Sequence, residues 1–346
     1  MYPNINRQKL QHSKEQLPFA HWLNHLVNMK RQKEYTIAVL GTQNPVGKAI
    51  LAELDRQNYP LALIHPLDLH QEAGAAISYH NQTITSSALD LFDLTRPHIL
   101  FLCEPRIFDR YPHHFLHGKN WLIDCTGRLH KAACIIPELN GHNLECLHHK
   151  CLCAPNSAAI ALARALLPLH QKYTLVQAKT VAILGAWYPQ PNVVETLIQQ
   201  TRHCFTQTLN NQALATYPFL AFNLIPNYFY NLTPLIQHQL KCFLKSPVQI
   251  SSCFAPVIRG GVFFVTAELG KKPHLNGIRA LYGEQSMCQL LDSNQPIGTH
   301  DLQTEEKLFI QNMHLYKNTL HFWLMQDPLQ TGFIQNAIQI LSLLIK

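Results

Sequence analysis

Apolar and polar positions follow two different rhythms along this chain. From Tyr35 onward, short unbroken apolar runs come first, at Thr36–Leu40, Leu61–Ile64, His98–Leu102 and Asn120–Asp124. Runs of this length, bounded by turn residues, predict strands of a parallel sheet buried on both faces. The first run passes into Gly41-Thr42-Gln43-Asn44-Pro45-Val46-Gly47 and a helical stretch through Leu54. Strand, glycine turn and helix in this order predict a doubly wound, nucleotide-binding half, with Gly41, Thr42 and Gly47 as its candidate cofactor contacts. Asn44 stands where the middle glycine would let backbone approach a pyrophosphate, so phosphate is expected to be held weakly or not at all.

The second half alternates. After a helix predicted over Ser157–Leu167 come Thr174–Leu184, Val248–Val257, Gly261–Leu269 and Thr319–Met325. Long period-two stretches predict a broad, largely antiparallel sheet, with one face on helices and the other on a partner. Ile334–Leu344 predicts a last amphipathic helix that returns to the first half. The fold class is therefore α/β. It combines a doubly wound Rossmann-type nucleotide-binding domain over 35–156 and 326–346 with an α+β dimerisation domain, built on a large mostly antiparallel sheet, over 157–325. Residues 1–34 stand apart, polar and irregular, ending at Met29-Lys30-Arg31-Gln32-Lys33. They read either as a disordered or short helical appendage around His21–Val27, or as residues ahead of a start at Met29.

A chain of 346 residues has room for two domains. Only 14% of its residues are charged, against about 25% in typical domains. That leaves little charge to coat a monomer, and a large self-interface, a homodimer, is expected. The formal charge of +7 draws on Arg7, Lys9, Lys14, Lys30, Arg31 and Lys33 near the start, and no continuous basic run follows. Nucleic-acid binding is not expected. Apolar runs such as Ile340–Ile345 fall far short of the roughly 18 to 20 residues that cross a membrane, so no membrane association is expected. Ten cysteines without a secretory signal predict reduced thiols in a cytoplasm. Cys146, His148, His149, Cys151 and Cys153 suggest zinc, but Cys151-Leu152-Cys153 alternates like a strand and lacks the two-residue gap of a knuckle. No metal site is expected.

Several further blocks then fall in a telling order: Pro137-Glu138-Leu139-Asn140, Pro155-Asn156, Leu167-Pro168-Leu169-His170, Ala221-Phe222-Asn223-Leu224-Ile225-Pro226, Pro256-Val257-Ile258-Arg259-Gly260, Asp327, Gly332 and Asn336-Ala337-Ile338-Gln339-Ile340. With the glycine loop, they make the chain resemble the aspartate-semialdehyde dehydrogenases from about residue 35 to its end. The resemblance implies a homodimer that binds NADP and forms aspartate semialdehyde from aspartyl phosphate, in aspartate-family amino-acid biosynthesis. In that family a cysteine after the Pro-Asn pair attacks the acyl group and a histidine keeps it ionised. A thiolate suits this because it is nucleophilic near neutral pH and leaves readily.

At the matching positions the chain carries Ser157 for the nucleophile and Gly261 for the base. Loss of general-base help costs on the order of a hundredfold to ten-thousandfold in rate. The acyl-orienting glutamine corresponds to Leu184, followed by Trp187-Tyr188-Pro189-Gln190 in place of an open glycine loop. Phe254 replaces the substrate-carboxylate arginine, and the acid and lysine expected near Leu232–Leu235 are gone. Where the family grips nicotinamide ribose and the adenosine phosphate, the chain reads Cys103-Glu104-Pro105 and His65-Pro66-Leu67-Asp68. Asp68 reads as a solvated turn residue or as an acceptor for a ribose hydroxyl. Arg128, Asn156 and Arg259 remain as candidate anion-binding groups, Asn156 equally as a helix N-cap and Arg259 equally as a partner for a carboxylate in the sheet. Cys153 and Cys253 are alternative thiols, but Cys153 lies before Pro155 within a strand and Cys253 mid-strand. The reading that follows is a non-catalytic, dimeric binding or partner protein with no cofactor or weak NAD(P) binding, and with room for a small anionic ligand. The other readings are an NAD(P)-dependent oxidoreductase, active or weakly active on an aldehyde or acyl substrate, and a ligand-free scaffold.

Overall fold

The computed structural model describes residues 35–112, 115, 119–129, 132–147, 150–188, 191–206, 218–228, 231–291, 297–302 and 307–345. The expected appendage at 1–34 lies outside the described residues, as do His148, His149, Pro189 and Gln190. The chain begins with β1 (Ile37–Leu40), α1 (Pro45–Arg56), β2 (Ile64–Asp68), β3 (Ala76–Tyr79), β4 (Gln82–Thr85), β5 (Ser87–Ala88), β6 (Ile99–Leu102), α2 (Pro105–Arg110), β7 (Trp121–Asp124), β8 (Ala133–Cys134), α3 (Pro137–Asn140) and β9 (Cys151–Cys153). It continues with α4 (Ser157–Tyr173), β10 (Leu175–Leu184), α5 (Pro191–Thr206), β11 (Ile225–Pro226), α6 (Leu232–Leu240), β12 (Val248–Phe254), β13 (Gly261–Leu269), α7 (Leu275–Gly283), β14 (Cys288–Leu290), β15 (Leu308–Tyr316), β16 (Thr319–Gln326) and α8 (Phe333–Leu344).

The first sheet has the order β5-β2-β1-β6-β7-β9-β8, and every pairing in it is parallel. All four residues of β1 are buried. Ile37 and Val39 pack on one face with Ile50, Leu54 and Phe101, while Ala38 and Leu40 pack on the other with Leu67, Leu102 and Ile107. Both faces are thus covered, as the unbroken apolar runs require. Ile334, Ala337, Ile338 and Leu341 of α8 join the first of these clusters, so the last helix does return to the first sheet. Each fully buried Val, Ile, Leu or Phe among them contributes about 1.5 to 3 kcal/mol.

Two elements depart from the sequence reading. The second strand is Ile64–Asp68, beginning where the expected Leu61–Ile64 run ends; Leu61–Leu63 form one 3-10 turn. Pro66 is tolerated inside it because the outer neighbour β5 pairs only with Leu67 and Asp68, leaving an open edge at the proline. The helix expected to stop at Leu167 runs on to Tyr173 through Pro168. Every residue from Ser157 to Leu166 is buried, and Leu169 and Tyr173 extend that contact beyond the proline. Tertiary packing here outweighs the hydrogen bond the proline removes.

The second sheet has the order β11-β12-β10-β13-β16-β15-β14. Pairings β11–β12, β10–β13, β13–β16 and β15–β16 are antiparallel, whereas β10–β12 and β14–β15 are parallel, so the sheet is mixed. Its inner face carries Phe263, Val265, Ala267 and Phe322 into the core shared with α4, α6 and α7. On the outer face the register aligns Ser251, Val181, Phe264, Trp323 and Gln311 across five strands. Val181 is exposed there, and Phe264 packs against Trp323 with ring centroids 5.0 Å apart.

Candidate functional site

The segments after β1, β7, β9 and β10 meet helix α6 and the starts of α4 and α8 around one cavity of ≈ 180 Å³. Its lining includes Val46, Cys125, Thr126, Asn156, Trp187, Tyr188, Leu232, Leu235, Gln239 and Phe333. This is the crevice where open α/β sheets bind ligands.

Asn156 is the N-cap of α4, with extended backbone and its side-chain oxygen accepting from Ala158 N at 2.9 Å. Ser157 follows as the first helical residue and is buried. Its hydroxyl donates to Pro328 O at 3.0 Å and accepts from Phe333 N at 3.2 Å. Both capacities of the oxygen are spent joining α4 to the segment that opens α8. The fit is close: a Cβ on Gly332 would fall 2.6 Å from Pro328 C and collide with the Ser157 hydroxyl as well.

Across the cavity, the register places Leu184 beside both Gly261 and Phe254. The space a side chain at Gly261 would fill is already occupied. A Cβ there would lie 2.7 Å from Cζ of Tyr188 and closer still to its hydroxyl. Gln326 Nε2 donates to that hydroxyl at 2.7 Å and to Ser157 O at 2.8 Å, tying the aromatic ring to the head of α4. Burial pushes the Tyr188 hydroxyl well above the usual phenol range; the Gln326 hydrogen bond opposes the shift and the Asp327 carboxylate adds to it. A phenol held neutral in this way donates or accepts hydrogen bonds but does not take up a proton, so it is no substitute for an imidazole. Leu184 and Phe254 are fully buried, and Phe254 packs against Tyr228.

Sequence reasoning missed one thiol, Cys125, which borders the cavity. Asp124 before it shapes the following turn, accepting from Thr126 N, Thr126 Oγ1 and Leu129 N. A hydrogen bond with Cys103, then burial and the nearby Cys103, Asp124 and Cys153 groups, raise the Cys125 thiol well above its ordinary value. It is a thiol, not a thiolate, at neutral pH. Only its place next to Asp124 at the end of a strand pointed to it in the sequence. Cys151 and Cys153 lie on β9 as the alternation predicted, Cys146 is exposed in a 3-10 turn, and Cys253 lies on β12. Among the described residues no group of three or more His, Cys, Asp or Glu side chains is arranged to hold a metal ion.

The glycine loop is closed on itself. Gly41 has φ +93°, and a Cβ there would sit 2.9 Å from Glu104 N; one on Gly47 would sit 2.9 Å from Gly41 C. Asn44 N donates to Gly41 O, Gln43 N to Asp68 Oδ1 at 3.2 Å and Val46 N to Asn44 Oδ1 at 2.9 Å, while Pro45 has no N–H. These are among the donors that a pyrophosphate would use at a helix N-terminus. Asp68 is not a solvated turn residue as one reading had it: it ends β2 fully buried and accepts from the Thr42 hydroxyl. Glu104 caps α2 and faces the loop, accepting from Asn44 Nδ2 at 3.3 Å and Arg106 Nε at 2.9 Å. Burial alone would raise the Glu104 carboxyl, but hydrogen bonds from Arg106 and Asn44 outweigh it and hold the group below its ordinary value. Two carboxylates therefore flank the loop.

The candidate anion-binding arginines do not line the cavity. Arg128 reaches Asp109 at 3.5 Å on the surface, and Arg259 pairs with buried Asp327, a carboxylate at the end of the sheet.

No family model matches the sequence. Curated relatives do. The chain is similar to a USG-1 protein homolog of Azotobacter vinelandii, 23% identical over 331 residues that cover 90% of this chain and 97% of the relative. It is 19% identical over 334 residues to the aspartate-semialdehyde dehydrogenase of Shewanella violacea, covering 91% and 98%. Among solved structures, a probable aspartate-semialdehyde dehydrogenase from Pseudomonas aeruginosa superposes with a TM-score of 0.81 at 19% identity, over 90% of this chain and 98% of that one. The Candida albicans enzyme solved with NADP superposes with a TM-score of 0.67 at 11% identity, over 90% and 98%.

Proposed function

We infer that this chain, a homologue of the aspartate-semialdehyde dehydrogenases, has lost the phosphorylating dehydrogenase reaction and serves as a dimeric binding or partner protein. The observation that carries this reading is the Tyr188 ring, which stands in the volume a base at Gly261 would need. Ser157 adds to it, since its hydroxyl is committed on both sides and no imidazole borders the cavity among the described residues. An alcohol needs a strong base to attack an acyl carbon, and the remaining cavity thiol, Cys125, is held protonated.

Cofactor binding is weak or absent on the same reading. The Gln43, Asn44 and Val46 amides of the loop around Gly41, Thr42 and Gly47 are used within the protein, and the acidic side chains of Asp68 and Glu104, the latter paired with Arg106, stand beside it. The outer face of the second sheet supports a homodimer, because Val181, Phe264 and Trp323 form an apolar band in register there. In this scheme 35–156 with 326–346 is the degenerate nucleotide-binding unit and 157–325 the dimerisation unit.

The test is an assay of phosphate-dependent oxidation of aspartate semialdehyde with NADP and with NAD. Neither the native chain nor Ser157→Cys is expected to turn over, since the thiol would still lack its base. Measurable turnover by the native protein, or a covalent acyl adduct trapped on it, would overturn the reading.

A further inference from the structure

We propose that the cavity left in the former catalytic cleft takes a small, neutral, largely apolar molecule of about the size of one aromatic ring, in place of a phosphorylated or carboxylated substrate. This rests on the reading that catalysis is lost, and it names what the emptied site now suits.

Charge excludes the old ligands. None of the described lining residues carries a charged side chain. Arg259 and Arg128, which stand nearest by sequence, are engaged by Asp327 and Asp109. An anion buried in such a site would be left without a partner, which costs several kcal/mol.

Part of the hydrogen-bonding capacity of the wall is already used. Asn156 Oδ1 accepts from Ala158 N, Gln239 Oε1 accepts from Asn156 N, and the Thr126 hydroxyl donates to Asp124. Gln239 Nε2, whose hydrogen bond among the described residues is a long one of 3.8 Å to Cys153 Sγ, is the handle best placed to meet a single polar atom. The remaining surface is hydrocarbon from Val46, Leu232, Leu235 and Phe333, with the Trp187 ring beside it.

Size completes the argument. A volume of ≈ 180 Å³ compares with the roughly 150 Å³ of an engineered apolar cavity that stays dry and binds benzene. A largely apolar lining with a few neutral donors, the side-chain amides of Gln239 and Asn156 among them, fits an aromatic ring carrying an acceptor or a hydroxyl.

The experiment is thermal melting of the full chain with indole and phenol as probes, with inorganic phosphate and L-aspartate as controls. Saturating indole or phenol is expected to raise the melting temperature by a few degrees, and phosphate and aspartate to leave it unchanged. Leu235→Trp, and independently Leu232→Phe, should fill the cavity and abolish the indole shift in protein that still melts cooperatively. A shift produced by phosphate or aspartate overturns the proposal, as does no shift with either apolar probe, or an indole shift retained by both variants. A protein that turns over aspartate semialdehyde defeats the loss of catalysis and this proposal together. An inactive protein blind to indole and phenol defeats this proposal alone.

Discussion

A histidine placed at Gly261 would begin life 2.7 Å from a ring carbon of Tyr188, so that base and tyrosine exclude one another. Gly261→His should therefore destabilise the protein by about 1 to 3 kcal/mol, the usual cost of overpacking a core. Urea unfolding reads this directly. Pairing it with Tyr188→Gly should cost less than the two single changes summed, because the second opens the volume the first needs; simple additivity would show that the two side chains do not compete. Arg164 gives a second prediction at the same scale. It is buried in α4, with Nε on Glu138 and Nη1 donating to Thr331 O at 2.7 Å, while Glu138 is partly exposed. Removing the acid strands a buried cation, whereas removing the arginine leaves a carboxylate that water can reach. Glu138→Ala should accordingly cost about 3 to 5 kcal/mol and Arg164→Met clearly less. Equal losses would contradict this asymmetry.

At the level of elements, the glycine loop and the start of α1 depend on Glu104. Its folded carboxyl lies below the ordinary value of 4.5, so the stability it adds is present above that pH and is lost as pH falls below it. The stability gap between native protein and Glu104→Gln, followed by urea midpoints, should be widest at neutral pH and close as the carboxyl protonates. A gap that stays constant down to acid pH would sink the assignment. Legibility differed among the elements for physical reasons. β1 and its loop were readable because an unbroken buried run followed by glycine and an N-cap leaves few alternatives. β2 was misplaced because His65 and Pro66 interrupt its apolar run, and only the missing neighbour at its edge makes the proline harmless. β15 went unread because a register shift between Gln311 and His314 breaks its alternation. Ser157 and Gly261, which the family resemblance sets at the nucleophile and base positions, were visible as letters. That Tyr188 plugs the second of them was not, since it depends on Leu184 pairing with Gly261 across the sheet. The Arg164–Glu138 bond joins residues 26 apart and leaves no periodic trace.

For the molecule as a whole, the low charge content and the apolar band on the second sheet point the same way. Sedimentation at micromolar concentration should give a dimer, and Val181→Lys, on a side chain already exposed in the isolated chain, should shift it toward monomer without altering the fold seen by circular dichroism. A native monomer would refute the shared interface. No helix among the described residues is long and apolar enough to cross a membrane. A variant given sulfur alone at Ser157 would lack a base, and one given imidazole alone at Gly261 would collide with the Tyr188 ring. Seating a sulfur and an imidazole together in this cleft therefore takes coordinated changes at Ser157, Gly261 and Tyr188, and no single substitution supplies the pair.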